Sequence, residues 1–369
     1  MKLLQIINSY DLQDGGAQRL SLQFHQTYLA QGLDSHLLSL IRSSANGVPN
    51  VYSLGCASPY RMATFLRLYA FLKQPRWRDL DIIHVHLFPA QGLVALVVKL
   101  LGLKARLITT EHNTFNRRRR LLFGRQIDRA LYRTYDRIVC ISPGTAAAMV
   151  EWLPEFAAQV ITIYNGIDLE GYRVTERDCT ERDTRIIISA GRLTEQKNYE
   201  TAIDAIGRIN GRALEYWILG QGEREATLKA RVQALHLEDR VKFCGFRANV
   251  SLALRRADIF LLTSYWEGFG LAVVEAMAVG LPVVVSDVPG LREVVTPESQ
   301  AGFLIDPTDD EAFAEHLVTL LDDPALRQRM GNNARQQAAR FDVKNTIAAY
   351  LDLYGVVLRE RVYRDSENG

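Results

Sequence analysis

Two successive α/β domains, each a doubly wound parallel sheet, are predicted by three features of the sequence. Short β-branched runs alternate with longer amphipathic stretches along nearly its whole length, as parallel strands joined by crossover helices require. The alternation stops at a polar, charge-dense stretch near the middle and then begins again. The 369 residues also exceed what one hydrophobic core usually organises, so two cores of roughly 150 to 200 residues each are the natural division.

The first run, LLQIIN at 3–8, is too short for a signal-peptide core and meets polar residues at once, so it reads as a strand. Paired glycines and the amphipathic stretch GAQRLSLQFHQTYLAQG at 16–32 follow it. Further strands are expected at SHLLSLI (35–41), DIIHVHL (81–87), ARLITT (105–110), RIVCIS (137–142) and VITIYN (160–165). The longest apolar stretch, GLVALVVKLLGL at 92–103, contains Lys99 and is too short to span a bilayer. The segment at 164–185 has many charges and no apolar period, and it reads as a linker between a domain at 1–165 and one starting at 186, with the linker at 166–185. The pattern resumes with RIIISAG (185–191), EYWILG (215–220), RVKFCG (240–245), DIFLLTS (258–264), LPVVVSD (281–287) and AGFLID (301–306). The amphipathic tail after them has no fixed partner from periodicity alone.

Composition narrows the function. Apolar residues at 48% and charged ones at 23% describe an ordinary globular protein, not a disordered or fibrous one. Cys56, Cys140, Cys179 and Cys244 form no close pair, which argues against a disulfide framework or a metal site; Cys140 and Cys244 read as buried small hydrophobes. The net charge of +2 hides an asymmetry: residues 1–170 hold 19 Lys and Arg against 12 Asp and Glu, the remainder 25 against 30. A basic N-terminal half suits an anionic partner, although solubility alone produces such imbalances. A cytoplasmic protein, at most peripheral to a membrane, is expected.

Ligands of open α/β sheets bind outside the carboxyl ends of the strands, and the motifs fall there. Gly15 and Gly16 precede a helix start, where free amides suit an anion, or serve only the turn. Arg192 and Lys197 share one loop, a planar fork and a point charge that fit a diphosphate, or a solvated basic loop. Gly220 and Gly222 form a GxG after a strand, a weak sign of a nucleotide. Phe246 and Arg247 end another strand and would flank a base, unless Phe246 is core. In YWEGFGLAVVEAMAVG, the backbone at Phe269, Gly270 and Leu271 would offer amides to a phosphate, and Glu267 would accept hydrogen bonds from sugar hydroxyls. Glu275 lies about one turn into a helix that is apolar nearly all round, so it needs a ligand or a polar network.

The set EGFGLAVVEA, GRLTEQKN, YNGID and GGAQR, in that placement, resembles the retaining nucleotide-sugar glycosyltransferases of family 4 (GT4) over roughly residues 1 to 350. The resemblance implies the GT-B fold, two Rossmann-like doubly wound α/β domains facing a deep cleft, with an acceptor-binding domain at 1–165, a donor-binding domain at 186–344 and a final helix at 345–369 crossing back to the first domain. It implies that Arg192 and Lys197, with the Gly15–Gly16 loop, bind the donor diphosphate, that Glu267 contacts the donor sugar and that Glu275 binds the ribose. It places His112 near the sugar, with Glu111, Asn113 and His86 as alternatives. It further implies a nucleotide-sugar co-substrate, UDP being the commonest nucleotide, and no metal or other cofactor. The expected product is cell-surface polysaccharide such as lipopolysaccharide or capsule, built on a saccharide or lipid-diphosphate-linked acceptor. A nucleotide-sugar 2-epimerase or hydrolase on the same fold, and a non-catalytic subunit, are the alternatives.

One basic stretch stands apart. Arg117, Arg118, Arg119 and Arg120 precede Leu121, Leu122 and Phe123, a combination that suits an acceptor diphosphate or an anionic membrane surface, or a solvated loop. No recognition motif accompanies it, so nucleic acid is not expected.

Overall fold

A computed structural model of the chain describes residues 1–11, 15–42, 47–172, 183–247 and 249–367. The chain divides into two compact units, Met1–Ile163 with Ile347–Gly369, and Tyr164–Thr346. Residues 173–182 of the segment read as a linker lie outside the described residues, as does Cys179.

The first unit is a seven-stranded parallel sheet. Its strands are β1 (Lys2–Ile7), β2 (Asp34–Ile41), β3 (Val51–Cys56), β4 (Ile82–His86), β5 (Arg106–Glu111), β6 (Arg137–Cys140) and β7 (Val160–Thr162), in the order β3-β2-β1-β4-β5-β6-β7. The helices are α1 (Gly16–Ala30), α2 (Met62–Leu72), α3 (Ala90–Leu101), α4 (Gly124–Tyr132) and α5 (Pro143–Trp152). Helices on both faces make the central strands read as unbroken apolar runs. Leu4, Ile6, Ile83 and Val85 pack under α2 to α5, with Leu68, Val94, Leu131 and Met149. Strand alternation sends Gln5 and His84 to the other face, which carries α1 and the chain's last helix. The sequence reading passed over β3. VYSLGC sits at the sheet edge with much of its surface open, so it lacks the continuous apolarity that marked its neighbours.

The second unit is a six-stranded parallel sheet. Its strands are β8 (Arg185–Ala190), β9 (Leu214–Leu219), β10 (Val241–Gly245), β11 (Ile259–Leu262), β12 (Val283–Ser286) and β13 (Gly302–Ile305), ordered β10-β9-β8-β11-β12-β13. Its helices are α6 (Tyr199–Arg208), α7 (Glu225–Ala234), α8 (Ser251–Arg256), α9 (Leu271–Ala278), α10 (Leu291–Val294), α11 (Asp310–Asp322) and α12 (Pro324–Ala338). The last helix, α13 (Val343–Glu367), belongs to the first unit from Ile347 onward. Cys244 departs from the expectation: it is half-buried, because β10 is an edge strand, whereas Cys140 is buried and its thiol pKa is pushed up by desolvation. The free cysteines among the described residues are Cys56, Cys140 and Cys244. No described helix is long and apolar enough to cross a membrane.

Candidate functional site

Each sheet reverses its strand order at one point, between β1 and β4 in the first unit and between β8 and β11 in the second. Loops leaving the strands on either side of such a point diverge and leave a crevice for a ligand.

In the second unit the two loops at that point hold Lys197 and Glu267. Lys197 Nζ donates to Glu267 Oε1 at 2.5 Å, and Ser264 Oγ donates to the same oxygen at 2.8 Å. Glu267 is buried and Lys197 largely so. The loops are knitted together by further bonds: Gln196 Nε2 donates to the Trp266 carbonyl at 2.8 Å, the Tyr265 amide to the Gln196 carbonyl at 2.9 Å, and Thr263 Oγ1 to the Asn198 carbonyl at 2.7 Å. Asn198 takes a left-handed conformation at the entry to α6, which its short polar side chain tolerates. None of Gln196, Asn198, Thr263 or Ser264 was singled out from the sequence, because each acts on a partner distant in the chain except Ser264, whose target is three residues on.

Arg192 lies in the same loop as Lys197 but is exposed and has no ion-pair partner among the described residues. Gly220 and Gly222 serve this loop. A Cβ on Gly220 would stand 1.9 Å from the Gly191 carbonyl oxygen, and one on Gly222 2.3 Å from that of Leu193. Backbone bonds from Leu193 N to Gln221 O and from Arg224 N to Leu193 O complete the contact. Close approach of the two loops therefore accounts for these glycines.

After Glu267 the chain turns into α9. Gly270, with φ of 88°, precedes the helix, which has neither a capping side chain nor a carboxylate in its first turn. The leading amides are thus left for an anion. The Phe269 ring is buried, edge-on to Phe341 at 5.2 Å, so only its backbone belongs to the site. Glu275 is buried one turn into α9, and Leu271 is half-buried at its start. Gly290 was missed: a Cβ there would lie 2.7 Å from the Glu267 carbonyl oxygen, so the turn after β12 presses on the glutamate loop. Phe246 is half-buried and Arg247 exposed, past the end of β10 at the sheet edge, two strands away from β8.

In the first unit Gly15 takes φ of 137° just before α1, of which Gly16 is the first residue; residues 12–14 lie outside the described residues. Across the reversal point Asn8 clamps the turn after β4, donating from Nδ2 to the Phe88 carbonyl at 2.8 Å and accepting from the Ala90 amide at 3.2 Å. His112 is half-buried just past β5, with its Nε2 3.4 Å from Nδ1 of the buried His86. His84 lies beneath them, bonded through Nδ1 to the Tyr354 hydroxyl at 2.6 Å and through Nε2 to Thr110 Oγ1 at 2.7 Å. Burial lowers all three imidazole pKa values, to about 3 at His84, to about 4 at His112 and well below the ordinary value at His86, so all are neutral at pH 7. Glu111 is committed elsewhere: Gln91 Nε2 and the Tyr132 hydroxyl both donate to its Oε1 at 2.5 Å. Asn113 is exposed. Among the described residues no group of three or more His, Cys, Asp and Glu side chains is arranged to hold a metal ion.

The four arginines do not form one cationic surface. Arg118 is buried, its Nε donating to Asp128 Oδ1 at 2.7 Å and its guanidinium 3.9 Å from the centre of the Phe88 ring. Trp152 Nε1 donates to the other Asp128 oxygen at 3.0 Å, so this ion pair fastens the arginine run to α4 and α5. Arg119 is half-buried, bonded to the Thr114 carbonyl and near the Trp152 ring, while Arg120 is exposed beside Phe115. The side chain of Arg117 lies outside the described residues. Arg118 is thereby corrected from a surface contact to a structural ion pair, since a nearby carboxylate offers what a solvated arginine lacks.

Comparison with known proteins matches both units. Residues 177–337 match the family described as Glycosyl transferases group 1, and residues 14–170 match Glycosyltransferase Family 4. The chain is 28% identical over 339 residues to the N-acetyl-alpha-D-glucosaminyl L-malate synthase of Bacillus anthracis, covering 87% of this chain and 84% of that protein. It is 28% identical over 352 residues to the N-acetylgalactosamine-N,N'-diacetylbacillosaminyl-diphospho-undecaprenol 4-alpha-N-acetylgalactosaminyltransferase of Campylobacter jejuni, covering 90% and 94%. The crystal structure of Anabaena HepE in complex with UDP and glucose superposes with a TM-score of 0.84 at 21% identity, covering 96% of this chain and 99% of that one.

Proposed function

Since the chain belongs to the family 4 glycosyltransferases, with the GT-B fold, we propose that it moves a hexose or N-acetylhexosamine from a UDP-linked sugar to a saccharide or lipid-diphosphate-linked acceptor. The reaction retains anomeric configuration, needs no metal or other cofactor, and contributes to cell-surface polysaccharide on the cytoplasmic side of a membrane. The observation that carries this reading is the Lys197–Glu267 pair at the point where the second sheet reverses its strand order. The crystallised Anabaena protein holds UDP and glucose, and the Campylobacter relative is named for a diphospho-undecaprenol acceptor; both favour the donor and acceptor classes assigned.

As the bond from the anomeric carbon to the diphosphate breaks, negative charge gathers on the phosphate and positive charge on the sugar. Lys197 has three N–H donors and gives one to Glu267, so it can bridge the glutamate and a phosphate oxygen. Arg192 adds further donors and the leading amides of α9 add ones that the backbone already orients, and loss of one such donor raises a barrier by about 2.7 to 4 kcal/mol. Glu267, with an ammonium and a hydroxyl donating to one carboxylate oxygen, is weakened as a nucleophile and suited to accept from a sugar hydroxyl. The acceptor oxygen then attacks from the face the diphosphate leaves, and the departing phosphate oxygen takes its proton. A trapped glycosyl–Glu267 adduct would overturn this assignment.

The test is thermal stabilisation of the full chain by UDP, GDP, ADP and CMP, repeated on Arg192→Ala and Lys197→Ala. A nucleotide at about a hundred times its dissociation constant adds about 2.7 kcal/mol of stability. UDP alone should raise the melting temperature, and both variants should lose most of the shift. Absence of any nucleotide shift in the unaltered chain would refute the donor reading.

A further inference from the structure

We propose that His86 is a positioning residue that holds His112 in its Nδ1–H tautomer, so that His112 presents a hydrogen-bond donor to an oxygen of the bound sugar. The use of that donor rests on the UDP-sugar reading above, whereas the tautomer rests on geometry within the first unit alone.

The sequence HVH at 84–86 ends β4, and strand alternation puts both imidazoles on one face of the sheet. His84 is fixed at both ring nitrogens, by the Tyr354 hydroxyl at 2.6 Å and by Thr110 Oγ1 at 2.7 Å. The His86 ring packs on it with ring centres 4.1 Å apart and is itself buried. His86 therefore has little freedom to turn, and its Nδ1 meets His112 Nε2 at 3.4 Å. His112 stands half-buried just past β5, and its own Nδ1 bonds no described residue.

Both rings are neutral at pH 7, so the bond they share contains one proton, and its direction fixes both tautomers. If His112 were the donor, His86 would carry its proton on Nε2. That nitrogen is buried, and no described group of the chain accepts from it. A buried N–H without an acceptor costs about 1 to 3 kcal/mol, and orphaned donors are rarer in proteins than under-used acceptors. The opposite direction leaves only a lone pair at His86 Nε2. His86 Nδ1 then donates, His112 Nε2 accepts, and the proton of His112 sits on Nδ1. Hydroxyl and N-acetyl oxygens of a sugar accept from such a donor.

The experiment is long-range 1H–15N NMR at pH 7 on the full chain labelled with 15N-histidine, with His112 assigned from the signals lost in His112→Gln. The unaltered chain should show His112 as a single Nδ1–H tautomer. His86→Leu removes the donor and should let the two tautomers of His112 interconvert. His86→Gln, whose side-chain amide donates in its place, should restore the Nδ1–H form, which a packing role alone would not do. Calorimetric titration with UDP, UDP-glucose, UDP-galactose, UDP-N-acetylglucosamine and UDP-N-acetylgalactosamine gives the second readout. His86→Leu should weaken the tightest of the UDP-sugars by about three- to tenfold, the worth of one hydrogen bond, while UDP binding stays unchanged and His86→Gln recovers most of the loss. An unaltered chain that binds no nucleotide would sink the donor reading, and the tautomer would still decide the role of His86. An Nε2–H tautomer in the unaltered chain, or the same His112 tautomer in His86→Leu, would overturn the proposal. Sugar affinity untouched by His86→Leu would overturn the use assigned to the donor.

Discussion

Lys197 and Glu267 stand 70 residues apart in sequence and 2.5 Å apart in space, and their energetics follow from burial. Removing one partner of a buried pair strands a charge, at about 3 to 5 kcal/mol, whereas removing both leaves no stranded charge. Lys197→Met and Glu267→Gln should each destabilise the second unit, and the double substitution should cost less than the sum of the two, with a coupling of about 1 to 3 kcal/mol in urea unfolding. Additive effects would mean the two side chains do not interact in solution. The sequence showed two cations in one loop and a glutamate after a later strand. It did not show that Lys197 would turn to Glu267 while Arg192 faced solvent, because that depends on which strands lie side by side. Gly220 and Gly222 illustrate the same limit: their spacing resembled a phosphate loop, but contact with the backbone at 191–193 is what excludes a side chain there. Arg118 looked like one of four equivalent surface arginines until Asp128, ten residues on, claimed it.

At the scale of elements, the strands at the sheet centres were legible because burial on both faces demands continuous apolarity. The edges were not, as β3 and Cys244 show. The family resemblance implied that the final helix returns to the first domain, but the period of α13 alone showed nothing of its placement, since an amphipathic helix names no partner by its period. Its tyrosines do: Tyr354 bonds His84 and Tyr350 bonds Thr110, joining the helix to β4 and β5. Burial of its histidines makes the first unit sensitive to acid. The folded pKa values of His25, His36, His84, His86 and His112 all lie below the ordinary 6.5, chiefly through desolvation. Between about pH 6.5 and 4 the unfolded chain therefore binds more protons than the folded one. Stability is whole above about pH 6.5 and falls as pH drops, by at most about 1.4 kcal/mol per pH unit for each fully buried imidazole. His84→Gln keeps a hydrogen-bonding side chain but cannot titrate. Its urea unfolding midpoint should fall less steeply from about pH 6.5 to 5 than that of the unaltered chain, and parallel curves would show that His84 is not a source of the acid sensitivity.

For the molecule as a whole, two α/β cores could be read from the restarted alternation, and a basic N-terminal half from a count of charges. What no count could disclose is that the chain's last residues complete the first core. The first unit is discontinuous in sequence, made of Met1–Ile163 and the segment from Ile347 onward, whereas Tyr164–Thr346 is continuous. Ending the chain at Thr346 would strip Tyr350 from Phe24, whose ring lies 5.4 Å away, and Tyr354 from Tyr28, at 6.2 Å. It would also leave His84 and Thr110 without their tyrosine hydroxyls on a sheet face that is buried in the intact chain. Loss of one large buried aromatic side chain costs about 3 to 5 kcal/mol, and two of them rival the whole stability of an ordinary domain, about 5 to 15 kcal/mol. The shortened chain should therefore lose the first core and keep the second. Limited proteolysis should release a resistant fragment beginning near Tyr164, and UDP should still protect it. A first unit that resists protease as well as it does in the full chain would mean that the sheet face stays ordered without α13, and that the His84–Tyr354 contact adds little to holding it.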